Sequence, residues 1–343
     1  MTASEKPAGT TSSRPADIKA VPLRHPWRWV AVIIIGVLVA MLVHTMVFAR
    51  VQRGNANQTL FGWGVVGDYF LARPILDGVV TTIELTLLAM LIGIVGGILL
   101  AVMRLSTNPV MSSVAWVYIW FFRGTPLLVQ ITFWFAGINY LYPKLSFGVP
   151  FGPGFIDGDS SKLVTPFVGA LIGLGLNEAA YMAEIVRAGI LSVDEGQVEA
   201  ATSLGMRRAM TLRRVVLPQA MRVVIPPTGN ELISMLKNTS LAYAATVTEL
   251  FYSQQLIAAR TYQIVPMLIV ASLWYLIITS VLMVGQYYVE RYYARGSVRE
   301  LPPTPLQRIR TMVTTFHVPP PSTVDLDAPV VLGGFGHGPG GQH

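Results

Sequence analysis

Three groups of polar residues in this 343-residue chain have types and spacings that could do chemistry, and each stands in long apolar surroundings. Asn177, Tyr181 and Glu184 follow one another at intervals of four and three, which places them on one face of a helix. An amide, a phenol and a carboxylate in one stripe can line a path for a polar solute. Arg187, three residues after Glu184, offers the plainer alternative of a structural ion pair. Lys237, Thr239 and Ser240 form a polar break in a second apolar stretch. Arg123 opens the sequence Arg123-Gly124-Thr125-Pro126, which kinks a helix; snorkelling to lipid headgroups is its alternative role. Ionisable groups inside a bilayer are costly and usually face a cavity or a partner. The chemistry on offer is solute passage.

Bond-breaking chemistry finds little support. Cysteine is absent, which removes disulfides, thiolate metal sites and cysteine nucleophiles together. The five histidines are scattered, and His337 and His343 stand in a glycine-rich tail, so no metal-ligand cluster is expected. No Ser/His/Asp set or carboxylate pair occurs in a recognisable catalytic context. The phosphate-binding pattern Gly-x-x-x-x-Gly-Lys-Ser/Thr is also absent, so any ATP-driven process needs a separate ATPase.

These residues must be held by membrane-spanning helices. The chain is 52% hydrophobic and 13% charged, with a mean hydropathy of +0.54, whereas soluble domains carry about 25% charged residues. About 20 apolar residues cross a bilayer as a helix. Six such stretches are expected: Trp29 to Ala49, about Val79 to Met103, Pro109 to Pro143 interrupted at Arg123, Leu163 onward through Glu178 and Glu184, Val223 to about Val247, and Thr261 to Val289. The first has small-residue spacing at Val47-Phe48-Ala49, but it is too long and starts too late for a cleaved signal, and it is read as a retained anchor. Gly93, Gly96 and Gly97 are expected to permit close helix packing.

With the N-terminus inside, 17 of the 25 basic residues fall on the cytoplasmic side and six outside. That asymmetry predicts both termini in the cytoplasm and accounts for the basic pI of 9.7 without nucleic acid. Residues 1–26 and 293–343 have the composition of disordered tails. The outer loop from Phe147 to Lys162 reads as turns.

One internal cytoplasmic loop, residues 194–218, stands apart. Gln197 to Leu204 reads as a short helix with Val198, Ala201 and Leu204 as its apolar face, and Gly205 as its left-handed terminator. A short basic helix follows, and Pro218 can open the next span. A short helix projecting from a bundle suits docking in a partner's groove; a solvated connector is the alternative.

Glu199-Ala200-Ala201, then three residues, Gly205, nine residues, Val215, one residue, and Leu217-Pro218 resembles the EAA loop of binding-protein-dependent ABC importer permeases, with Val215 where Ile is usual. Phe122 to Gln130, Asn177 to Ile190, and Pro226 to Glu231 running on to Leu241 resemble the subfamily for polar amino acids. The resemblance covers residues 75–292, leaving the helix at 27–49 and both tails outside. It implies an all-α polytopic bundle, a five-helix type I permease core plus one N-terminal helix, in the cell membrane. It implies a polar amino acid delivered by an external solute-binding protein, a second permease copy or paralogue, and an ABC ATPase subunit carrying ATP and magnesium. It assigns the ATPase contact to Glu199, Ala200, Ala201 and Gly205. Trp120 stands where many relatives carry an acid, which argues against a basic amino acid. An ion-gradient-driven amino acid transporter using Glu84, Glu184 and Lys237 is the alternative, but the inverted repeats or paired broken helices it requires are not evident.

Overall fold

The computed structural model describes residues 26–53, 56–59, 61–148 and 154–293, so the two expected tails lie almost entirely outside the described residues. The elements are overwhelmingly helical, as a bilayer demands, because a helix satisfies its own backbone groups. In chain order they are α1 (Pro26–Phe48), the hairpin β1 (Arg50–Arg53) and β2 (Ala56–Thr59), α2 (Trp63–Phe70), α3 (Arg73–Arg104), α4 (Pro109–Gly124), α5 (Leu127–Thr132) and α6 (Ile138–Leu141) joined by a π turn at Phe133–Gly137. A second hairpin, β3 (Lys144–Gly148) with β4 (Gly154–Asp159), leads to α7 (Ser160–Leu163) and α8 (Pro166–Leu191). Then come α9 (Glu195–Ser203), α10 (Arg208–Thr211), a π turn at Leu212–Val216, α11 (Leu217–Asn238), a 3₁₀ segment at Thr239–Ala245, α12 (Leu250–Thr261) and α13 (Ile264–Tyr293). The chain divides into two units between Tyr287 and Tyr288; the described part of the second is the end of α13.

Among the described residues, three helices are long and apolar enough to cross a membrane: Val30–Phe48 within α1, α3 and α13. A fourth span arises if α4 and the helix from Leu127 to Leu141 count as one, although they meet at a bend of 103°. That bend falls at Thr125-Pro126, where both residues are extended. Proline disfavours helix in the residue before it, which explains why the expected kink is nearly a right angle. The other two expected spans, α8 and α11, have 26 and 22 residues, about 39 and 33 Å long, and carry polar residues that hydropathy alone does not pass.

The core is built around α8. Gly93 of α3 faces Glu178, and Gly97 faces Met182 and Ala183, so α3 and α8 run parallel with glycines at the contact. Ala179 meets Gly96 in the same seam. On another side of α8, Gly173 lies on Ile131 and Gly169 on Phe135, so the helix after Pro126 runs antiparallel to it. Gly189 lies on Ala220 and Val224, while Leu174 and Met235 share one apolar cluster, which makes α11 antiparallel to α8 as well. A second cluster, around Ile75, Leu250, Met267 and Val270, packs α12 and α13 on the start of α3. Helix α1 has no buried residue among the 19 of its apolar stretch. It is attached where Trp63 Nε1 donates to the Met46 carbonyl at 2.9 Å.

Three expectations change. The loop at Phe147–Lys162, expected as turns, forms the β3–β4 hairpin and α7 around residues 149–153, which lie outside the described residues. The apolar stretch beginning at Thr261 is not continuous with the chain before it: α12 ends at Thr261, Tyr262 adopts φ 58°, and α13 starts at Ile264. The span expected to reach Val247 stops as α helix at Asn238 and tightens into 3₁₀ geometry. Both breaks fall at polar residues, Lys237 to Ser240 and Arg260 to Gln263, but hydropathy averaged over a span does not report a change of helix geometry.

Candidate functional site

The projecting segment is α9 and what holds it. Asp194 precedes the helix, and Gly205 ends it at φ 74°. Met206 N donates to the Ala201 carbonyl at 3.1 Å and Gly205 N to the Thr202 carbonyl at 2.9 Å, the paired bonds of a Schellman motif, which favours glycine at the left-handed position. Ala201 is buried, and Val198 packs on a small cluster of Val193, Val216 and Ala220. Gln219 Nε2 donates to Gln197 Oε1 at 2.5 Å and to the Val215 carbonyl at 3.0 Å, tying α9 to the base of α11.

Glu199, Ala200 and Gly205 are exposed, whereas Ala201 turns inward. Leu204, expected on the same packed face as Ala201, is 83% exposed. It is the C-cap residue, where the helix has already unwound. The exposed surface therefore presents Glu199, Ala200, Leu204 and Gly205, and Ala201 anchors it.

The second feature is a cavity of about 550 Å³ lined by Arg104, Trp116, Trp120, Arg123, Tyr181, Glu184 and Arg187, among others. The guanidinium of Arg123 lies over the Tyr181 ring, 5.1 Å from its centroid. Glu184 and Arg187 form an ion pair at 2.7 Å, both about one quarter to one third exposed. Trp116 and Trp120 stack at 6.3 Å with their planes 12° apart. Of the seven path candidates, Arg123, Tyr181 and Glu184 meet here.

The other four do not. Asn177 is buried, and its Nδ2 donates to the Phe122 carbonyl at 2.9 Å and to Gln130 Oε1 at 3.1 Å. It braces the α4–α5 bend against α8, so the stripe read from spacing divides between packing and cavity. Gln130, which sequence reasoning passed over, also donates to the Phe122 carbonyl and to Thr125. Thr239 and Ser240 donate to the carbonyls three residues before them, at 2.6 and 2.7 Å. They satisfy the 3₁₀ turn. Lys237 is exposed at the end of α11.

Sequence reasoning also missed Glu249, whose side chain is fully buried. It caps α12 by accepting from Phe251 N and Tyr252 N, both at 2.8 Å, and accepts from the Tyr275 hydroxyl at 3.1 Å. Thr82 Oγ1 accepts from Leu250 N beside it. The available signal was an acid opening a short helical stretch.

Long apolar helices packed through glycines, ionisable residues around an open cavity, and a projecting capped helix define a membrane-embedded transport subunit. The chain belongs to the family described as the binding-protein-dependent transport system inner membrane component, whose family model matches residues 93–295. It is 49% identical to the arginine transport system permease protein ArgU of Corynebacterium glutamicum over 295 residues, 85% of this chain and 88% of that protein. It is 41% identical to the L-cystine transport system permease protein TcyB of Bacillus subtilis over 235 residues, 68% and 92% of the two chains. Among solved structures it resembles the crystal structure of an amino acid ABC transporter with histidines, at 33% identity and TM-score 0.56 over 66% of this chain and 98% of that one. It shares the fold of a MetNI methionine ABC transporter chain in inward-facing conformations, at 17% identity and TM-score 0.50, over 66% and 98%.

The protein is therefore an all-α, multi-pass membrane permease subunit of an ABC importer, and not an enzyme; ATP hydrolysis belongs to a separate subunit. The ion-gradient alternative gives way to this reading.

Proposed function

We propose that this chain forms the membrane path by which an ATP-driven importer takes up a polar amino acid, with arginine the first substrate to test. The observation that carries the reading is the segment from Glu195 to Gly205, a short helix ended by a Schellman turn and packed on the feet of α8 and α11. The arginine, cystine and nopaline named for relatives support an amino acid as cargo. Trp120 in place of an acid does not remove a cation's partner, because a tryptophan face attracts a guanidinium through its quadrupole.

The 17-to-six asymmetry of basic residues supports placing both termini and α9 in the cytoplasm. Two permeases, identical or paralogous, enclose the path, and an ABC ATPase docks on Glu199, Ala200 and Gly205 of each. ATP and magnesium are bound by that ATPase, and an external binding protein delivers the solute. ATP binding draws the two ATPases together, the α9 segments follow, and each permease turns as a body to open outward. Hydrolysis returns it. Arg123, Tyr181 and Glu184 meet the solute at the cavity; Lys237 is a further candidate on the exposed end of α11.

The test is purification from mild detergent followed by reconstitution. An ATPase should copurify, and liposomes should accumulate radiolabelled arginine or glutamine only with ATP and binding protein. Uptake driven by an ion gradient without ATP overturns the reading.

A further inference from the structure

The cavity between α4 and α8 has two levels. Gly97 of α3 lies on Met182 of α8, and the two helices are parallel. Arg104, seven residues beyond Gly97, and Arg187, five beyond Met182, therefore stand about 10 and 8 Å further along, within one turn of each other. Tyr181, which carries the Arg123 guanidinium, stands one residue back from the same contact. The level of Arg123 and Tyr181 is the one assigned above to the solute. The level of Arg104 and Arg187 lies about 10 Å nearer the end of the bundle that carries α9.

This second level is cationic and only partly satisfied. Arg104 Nη1 donates to Ser112 Oγ at 2.9 Å, and no carboxylate among the described residues pairs with it. Arg187 gives Nε and Nη2 to a single oxygen of Glu184, at 3.2 and 2.7 Å, so its Nη1 edge has no bond among the described residues. Glu184 is one acid in a lining that holds three arginines, and α4 contains no acid at all.

The wall beside these cations is apolar and faces outward. Trp116 and Trp120 are 52% and 63% exposed, and Val117 and Phe121 next to them on α4 are exposed as well. Arg104 closes α3 directly after an apolar stretch that ends at Met103, which puts it where hydrocarbon gives way to headgroups. Guanidinium edges hold phosphate oxygens through charge-assisted hydrogen bonds, and basic pockets between spanning helices at that depth suit anionic headgroups. A soluble phosphate would leave the exposed tryptophans uncovered, whereas a phospholipid lays its acyl chains on them.

We propose that Arg104 and Arg187 form a binding site for the phosphate of an anionic phospholipid, whose acyl chains run along Trp116 and Trp120. The site requires that the chain is embedded in a membrane and is independent of which solute is imported. It selects by charge: phosphatidylcholine brings an ammonium with its phosphate, while phosphatidylglycerol brings the phosphate alone.

The test uses the complete permease–ATPase complex in phosphatidylcholine liposomes containing graded amounts of phosphatidylglycerol or phosphatidylcholine brominated on the acyl chains, which quenches adjacent tryptophans. The fluorescence that disappears in the Trp116→Phe/Trp120→Phe double variant reports the cavity. In wild type, brominated phosphatidylglycerol should quench this component at a mole fraction about fivefold or more below that of brominated phosphatidylcholine, the size expected for an arginine near an anionic headgroup. Arg104→Gln with Arg187→Gln should erase the preference, and Arg104→Lys with Arg187→Lys, which keeps both charges, should retain it. Arg104→Gln alone, which gives up only the bond to Ser112, should reduce it and carries the comparison if the double glutamine variant does not assemble. Equal quenching by the two lipids in wild type overturns the assignment, and so does a preference unchanged by the glutamine variants. Quenching by neither lipid would show the wall to be covered by protein, such as a second permease, and also overturns it. Loss of the preference in excess glycerol 3-phosphate would make this a site for soluble phosphates and overturns the lipid as its occupant.

Discussion

Gly93 of α3 lies so close to Glu178 of α8 that a β-carbon on the glycine would stand 2.7 Å from the glutamate Cβ. The acid is buried with its Oε1 unpartnered, and the glycine is what lets the two parallel helices close over it. The same seam continues one turn on, where Gly97 meets Met182.

Substituting Gly93 by alanine should destabilise the bundle by about 1–3 kcal/mol, the range for overpacking a filled interior, and leucine should prevent accumulation of folded protein. Gly36→Ala in α1 is the control, since its added carbon meets nothing within 4 Å beyond the backbone of its own helix. Thermal unfolding in detergent reads the difference. Equal melting of Gly93→Ala and Gly36→Ala would show the seam to be looser than described.

At Gly205, backbone strain and surface charge can be separated. Alanine there must adopt φ 74°, at about 1–2 kcal/mol for an L-residue, while asparagine tolerates that conformation. Asparagine should therefore keep more uptake than alanine. Aspartate tolerates the backbone but adds a charge to the proposed docking surface, and we expect it to abolish uptake and ATPase copurification while the protein remains inserted. Normal uptake by Gly205→Asp would count heavily against the docking role.

Removing the Glu249 side chain leaves Phe251 N, Tyr252 N and the Tyr275 hydroxyl without their acceptor. Glu249→Ala should cost about 3 kcal/mol or more, since each buried unsatisfied group costs about 1–3. Glu249→Gln keeps one acceptor oxygen and should fall between. Melting curves that rank the two in the opposite order would refute the capping account.

Asn177→Ala should lower stability, by about 1–3 kcal/mol for the buried Gln130 oxygen it leaves unsatisfied. The order in which competing amino acids inhibit uptake should not change. A shift in that order would return Asn177 to the solute path.

Much of this was legible in the residues themselves. The glycines at 93, 96 and 97 were expected to make close helix contacts and do so, because small residues in an apolar helix have few other uses. Gly205 was expected to end α9 in a left-handed turn, and its φ is positive. The polar stripe was less legible. Spacing put Asn177, Tyr181 and Glu184 on one face, yet a face is broad, and neighbours decide what each part touches. Asn177 meets the kinked backbone at Phe122, 55 residues away, while Tyr181 meets a cation.

The sequence alone determined the membrane class, the short helix ended by Gly205 and the family, because hydropathy, helical spacing and a contiguous motif are local properties of the chain. Only the tertiary structure decided that Thr82 and Glu249 cooperate at one helix start, that Arg123 turns over Tyr181, and that Asn177 braces the bend at Phe122. Those relations depend on the register between helices far apart in the chain, and register is set by the packing of side chains from several helices at once, which no single stretch of residues encodes.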